Sequence, residues 1–114
     1  MNKYGKQAQE AWREASPTHY AQIQDPETFF SDLGEQAAEQ IDQMQTQLAG
    51  PDPAGESYLE KVGRLRAARN QAEEYVSHDL LSPPEIEEDE ENVNPDLQQY
   101  LDWKREAEQL RQQL

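Results

Sequence analysis

Two stretches of apolar residues, repeating at the helical period and separated only by "AGPDPAGES", limit what this chain can fold into. The first stripe runs Phe30, Leu33, Ala37, Ile41, Met44, Leu48, and the second Tyr58, Val62, Leu65, Ala68, Ala72, Tyr75, Val76, Leu80. Spacings of three and four put each set along one side of an α-helix. A Pro/Gly-rich connection this short leaves the second helix nowhere to go but back along the first, so the pattern predicts an antiparallel helical hairpin over about 27–80. "DPETFF" marks the entry: Asp25 caps, Pro26 takes the first helical position and Glu27 suits the positive helix end. "AGP" at 49–51 marks the exit, with Gly50 as the left-handed cap, and the second helix is expected over about 56–81. Gly34 and Gly63 fall inside the two helices, where each costs about 1 kcal/mol against Ala; close approach of another helix is one reason to tolerate them.

Two further elements flank the hairpin. Tyr4, Ala8, Ala11, Trp12 and Ala15 share one face of a short helix at 3–15, Pro17 ends it or starts a turn, and "THYAQIQ" at 18–24 reads as no more than one loose turn. After the hairpin, "SPPEIEEDEEN" at 82–92 combines two prolines with a like-charge run and reads as an extended linker. "NPDL" then repeats the capping logic for a C-terminal helix at 95–113, whose stripe Tyr100, Trp103, Ala107, Leu110, Leu114, extended by Leu97, forms a two-heptad seam. A helix of that length is marginal alone and must dock on the hairpin or on another chain. The expected fold is therefore all-α: a hairpin domain with its N-terminal helix (1–82), an acidic linker (83–94) and a C-terminal helix (95–114). Together they make a three- or four-helix bundle, and the seam makes a homodimer feasible.

Only 34% of the 114 residues are apolar and mean hydropathy is −1.16, which suits one modest core and not a deep cleft. The chain lacks cysteine, so neither a disulfide nor thiolate chemistry is available. "MNKYGKQAQEAW" has no apolar centre of the kind a signal peptide needs, and no apolar run reaches the length of a membrane span, so the expectation is a soluble, cytoplasmic protein. His19 and His78 are the only histidines. Glu74 and His78 share a helical face with Asp79 adjacent, but a carboxylate-bridged bundle needs Glu-x-x-His pairs on two helices, so no metal and no cofactor is expected. A Gly-rich phosphate loop and a Gly-x-Ser-x-Gly turn are both missing from the sequence, and the serines at 16, 31, 57, 77 and 82 have no recognisable base beside them. The expectation is a protein that is not an enzyme.

Charge is the most distinctive property. Twenty-four acids against ten bases give a net charge of −14, which disfavours direct contact with nucleic acid or an anionic membrane and favours fast, salt-sensitive association with basic partners. The excess sits in two places. Residues 25–50 hold six carboxylates and no Lys or Arg, with Glu35, Glu39 and Asp42 at i, i+4, i+7 on one helical face; "EIEEDEE" at 85–91 supplies Glu85, Glu87, Glu88, Asp89, Glu90 and Glu91. In an extended strand alternate side chains repeat every roughly 7 Å, near the phosphate repeat of a nucleic-acid strand. Against a binding role, Lys61, Arg64, Arg66 and Arg69 on the second hairpin helix are placed to pair across with the acidic face, and the 85–91 run serves equally as a solvated linker. The aromatic residues divide the same way between core and contact. Phe29 and Phe30 are not expected to share one seam, and Trp12, if the hairpin leaves it uncovered, would be an interface anchor.

Two functional readings follow. In the first, the chain is a small acidic binder that inhibits by occupying a basic nucleic-acid-binding surface on a partner, such as a nucleic-acid-processing enzyme. Its contacts are then Glu35, Glu39, Asp42, the six acids of 85–91, Trp12 and Trp103. In composition it is similar to DNA-mimicking inhibitors, including phage and other mobile-element proteins that disarm host nucleases. In the second, it is a helical assembly or scaffold adaptor acting through the Tyr100–Leu114 seam, with charge serving only solubility. An acidic chaperone or antitoxin-like neutraliser is a variant of the first.

Overall fold

The computed structural model describes residues 1–81 together with residues 95, 96, 98, 101–103, 105, 109, 112 and 114. Four helices are defined: α1 (Lys3–Ala15), α2 (Pro17–Ala21), α3 (Pro26–Ala49) and α4 (Tyr58–Leu80); among the described residues there is no strand, and the fold is all-α. The acidic linker, with Glu85, Glu87, Glu88, Asp89, Glu90 and Glu91, lies outside the described residues, as do Leu97, Tyr100, Ala107 and Leu110 of the expected C-terminal seam.

The hairpin forms as its sequence dictates. Asp25 caps α3 by accepting from the Thr28 N–H (3.2 Å) and hydroxyl (2.8 Å). Gly50 ends α3 with φ +67, its N–H donating to the Thr46 carbonyl. Ser57 and Glu60 then form a reciprocal capping box at the start of α4, each side chain accepting the other's backbone N–H. Cross-contacts set the register: Asp42 meets Arg69, Gln45 meets the Leu65 carbonyl, and Ala49 meets Arg64. One number rises as the other falls, so α3 and α4 are antiparallel. Phe30, Leu33, Ala37, Ile41 and Met44 of α3 are fully buried, facing a narrower contribution from α4: Ala68, Ala72, Val76 and Leu80. Tyr58 departs from its stripe and is 78% exposed, because it lies in the first turn of α4, beyond the part of that helix that supplies the core.

α1 packs on α3 at a pair of glycines. A Cβ on Gly34 would fall against the Asn2 carboxamide and within 2.7 Å of the Gly5 nitrogen, while one on Gly5 would reach 2.5 Å from the Phe30 carbonyl oxygen. Close approach therefore explains Gly34. It does not explain Gly63, where a Cβ would meet nothing within 4 Å. Asn2 fastens the crossing: its Oδ1 accepts from the Gly5 N–H, capping α1, and its Nδ2 donates to the Gly34 carbonyl, each at 2.9 Å. Tyr4 adds a link to α4 by donating to Glu73 at 2.8 Å.

The loose turn expected at 18–24 is a helix in its first half. Ser16 closes α1, Pro17 opens α2, and Tyr20 stacks on Phe30 at 5.9 Å. Trp12 stands edge-on to both Phe29 and Phe30, with ring centroids 5.6 Å away in each case. Phe29 and Phe30 are both buried, although they do not share one seam. They point about 100° apart, but the large Trp12 indole spans that angle and covers both.

Of the expected C-terminal helix, Asp96, Gln98, Leu101 and Asp102 have positive φ, the left-handed region, and no fifth α-helix is defined among the described residues. Trp103 is 3% exposed and belongs to the same apolar cluster as Trp12, so this segment docks on its own hairpin.

Candidate protein-binding surface

The buried stripe of α3 decides which residues point outward. With Leu33, Ala37, Ile41 and Met44 facing inward, the residues between them turn to the other side, and Glu35, Glu39 and Asp42 are exposed. Asp32, one turn before Glu35, is also exposed and lengthens the row beyond the three carboxylates expected; its spacing of three from Glu35 is legible in the sequence. Four carboxylates thus line one side of α3 over about 15 Å.

The basic residues of α4 do little to neutralise this row. Arg69 pairs with Asp42 at 2.9 Å and also lies 3.8 Å from Glu73. Lys61 and Arg64 turn to the interhelical connection: Lys61 holds Asp52 at 2.8 Å, and Arg64 holds Glu56 at 2.7 Å and Asp52 at 2.6 Å. The nearer acids win because they lie one short loop away, and closing that loop costs little further entropy. Arg66 is exposed with no ion-pair partner among the described residues. Asp32, Glu35 and Glu39 likewise have no ion-pair partner among the described residues, so three of the four row members face solvent unrelieved.

Electrostatic effects are concentrated at the hairpin end. Hydrogen bonds from Lys61 and Arg64 hold Asp52 below the usual carboxylate range, Arg64 does the same for Glu56, and the Arg64 guanidinium is raised in return. Arg64 also donates to the Ala49 and Gly50 carbonyls at the end of α3. It therefore joins the C-terminus of one helix to the capping turn of the next. Elsewhere, burial raises Asp79, beside the exposed His78, and burial together with the bond to Glu73 raises Tyr4.

Neither tryptophan offers itself to a partner in this conformation. Trp12 is fully buried between α1 and α3 and Trp103 is nearly so, which corrects the placing of both at an interface: each ring is covered by the chain's own core. Among the described residues, no group of three His, Asp or Glu side chains is arranged to hold a metal ion. A shallow, open depression of about 440 Å³ is lined by Asn70, Glu73, Glu74 and Ser77. It brings carboxylates together without enclosing them. No helix among the described residues is long and apolar enough to cross a membrane.

Comparison of the chain with protein-family models, with curated proteins and with solved structures found no match.

Proposed function

We propose that this chain is a small non-enzymatic binding module whose acidic α3 face occupies a basic, nucleic-acid-binding surface on a partner protein and so inhibits it. The observation that carries this reading is the unneutralised row Asp32, Glu35, Glu39, on a helix without a single base, although α4 carries four cations in the neighbouring helix. The row costs the fold a few tenths of a kcal/mol for each like-charge i, i+4 pair. Solubility alone would be served as well by mixed signs.

Magnitudes set how far α3 acts alone. Its four carboxylates are spaced on average about 5 Å along the axis, whereas a nucleic-acid strand carries one charge per about 3.4 Å and a duplex one per about 1.7 Å. The α3 face therefore presents charge at roughly two-thirds of the line density of a single strand, and the 85–91 run adds a denser second segment. Competition with nucleic acid for one groove, driven by long-range attraction and sensitive to ionic strength, is the mechanism that follows. Trp103, on which an adaptor acting through the C-terminal seam would rely, is buried in the chain's own core.

The test is capture of partners from native cytoplasm at low salt, comparing the chain with a Glu35→Gln, Glu39→Gln, Asp42→Asn variant that keeps its helix content. The reading expects bound nucleic-acid enzymes that elute steeply with salt, are displaced by added DNA, and are lost with the variant. Partners that survive high salt, ignore DNA and bind the variant equally well would sink it.

A further inference from the structure

Arg69 stands between two acids on different helices. Its Nη1 donates to Asp42 of α3 at 2.9 Å and to the Gln45 Oε1 at 3.2 Å, while its Nε lies 3.8 Å from Glu73, one turn further along α4. At that separation the Glu73 pair is a charge contact and not a hydrogen bond. Glu73 is held in position, because the Tyr4 hydroxyl donates to it at 2.8 Å. Its side chain is also the less exposed of the two acids, 31% against 71% for Asp42. Gln45 is fixed in turn by donating to the Leu65 carbonyl at 3.0 Å. The guanidinium therefore has a pivot, one acid that it bonds and a second acid within a short swing.

We propose that Arg69 covers Asp42 in the free chain and passes to Glu73 when a basic partner docks on α3. The inference rests on the reading of α3 as a binding face and adds how its last carboxylate is uncovered. With Arg69 on Asp42, the row presents only Asp32, Glu35 and Glu39 unpaired. An ion pair this exposed contributes little, since water and salt screen it, so a partner's cation displaces Arg69 easily. The displaced guanidinium does not go unpaired. Turning about its bond to Gln45, it brings Nε onto Glu73, where lower exposure leaves the attraction less screened and the Nε edge suits a carboxylate. Lys3, 3.9 Å from the same carboxylate and 67% exposed, swings into water as Arg69 closes in. Glu73 offsets the lost pair, and the row gains its fourth member.

Nuclear magnetic resonance of the isotope-labelled full chain, titrated with an unlabelled decamer of lysine as the basic probe, tests this. Binding should shift the α3 amides around Glu35 and Glu39. The Arg69 Nε–H should move downfield with them and exchange more slowly with water, because it gains a hydrogen bond. In Glu73→Ala the α3 amides should still shift while the Nε–H stays in place. That variant should bind the decamer up to about fivefold more weakly, and Glu74→Ala, which removes the same charge from an exposed neighbour, should lose less. If Glu73→Ala loses helix content along with its Tyr4 bond, Asp42→Ala, at an exposed position of α3, takes its place: with no probe present, its Nε–H should already stand where the bound wild type puts it. An Nε–H that stays in place while the α3 amides shift, or that moves equally in Glu73→Ala, would overturn the hand-over and leave the acidic face standing. So would an Asp42→Ala chain whose Nε–H matches free wild type. A decamer that leaves the α3 amides unmoved would overturn the acidic face itself, and the hand-over with it.

Discussion

Replacing each mid-helix glycine of the hairpin by alanine should move stability in opposite directions. By intrinsic propensity alone, both substitutions gain about 1 kcal/mol. At Gly63 nothing lies within 4 Å of the new methyl, so that gain should be realised in full. At Gly34 the methyl would enter the space of the Asn2 carboxamide and come within 2.7 Å of the Gly5 nitrogen and 3.0 Å of the Gly5 Cα. Two of those contacts are backbone, which cannot rotate away, so α1 must lift off α3. Forced overpacking costs about 1–3 kcal/mol, and the lift also stretches the bond from Asn2 to the Gly34 carbonyl, worth about 1 kcal/mol net. Gly34→Ala should therefore lose roughly 1–3 kcal/mol overall, and the two variants should differ by about 2–4 kcal/mol. For a domain of this size that is a gap on the order of 10–20 °C in Tm. Urea and thermal unfolding followed by far-ultraviolet circular dichroism read both. A Gly34→Ala chain as stable as wild type, or a Gly63→Ala chain less stable than wild type, would refute the packing argument.

Three further outcomes are expected. Ser57→Ala removes one half of the capping box on α4 and should cost about 1 kcal/mol in urea unfolding. Arg64→Ala should lower the unfolding midpoint at neutral pH, and the difference from wild type should shrink on acidification. Asp52 and Glu56 have lowered pKa values in the fold, so their contribution is complete above the unfolded carboxylate range of about pH 4 and is lost as pH falls through the folded values. A difference that persists unchanged at acid pH would show that the carbonyl contacts of Arg64, not its ion pairs, matter. Trp12→Ala should cost about 3–5 kcal/mol, whereas Tyr58→Ser, on a side chain 78% exposed, should change stability by less than about 0.5 kcal/mol, measured by the same unfolding curves.

The fold was readable wherever the deciding interactions are local. Asp25–Pro26 and Gly50 bound α3 through contacts within four residues, and the structure uses them as the sequence predicts. The Ser57–Glu60 box is equally local, yet α4 begins at Tyr58, two residues after the expected start at 56, because the cap falls on Ser57. What depends on a neighbour from elsewhere in the chain was not readable. Gly34 and Gly63 look alike in sequence, and only the arrival of α1 separates them. Tyr58 fits its stripe by spacing, but periodicity does not say where the facing helix stops contributing. The burial of both Phe29 and Phe30 needed an indole broad enough to cover two directions. For the candidate surface, helical spacing gave the acidic face directly. The pairing of Lys61 and Arg64 with the turn instead of with α3 followed from short loops, which competed better than a position across the hairpin.

Asn2 has a consequence for how the N-terminal helix opens. A 13-residue helix is marginal by itself, and the residue that caps α1 is the same one that clips it to the Gly34 carbonyl. Releasing the clip therefore also uncaps the helix, and uncapping it also releases the clip. α1 should not fray from its first turn while the rest stays docked. Its amide protons should exchange with solvent as one cooperative unit, with nearly equal protection from one end to the other, through a single opening event that also bares the facing turns of α3 around Gly34.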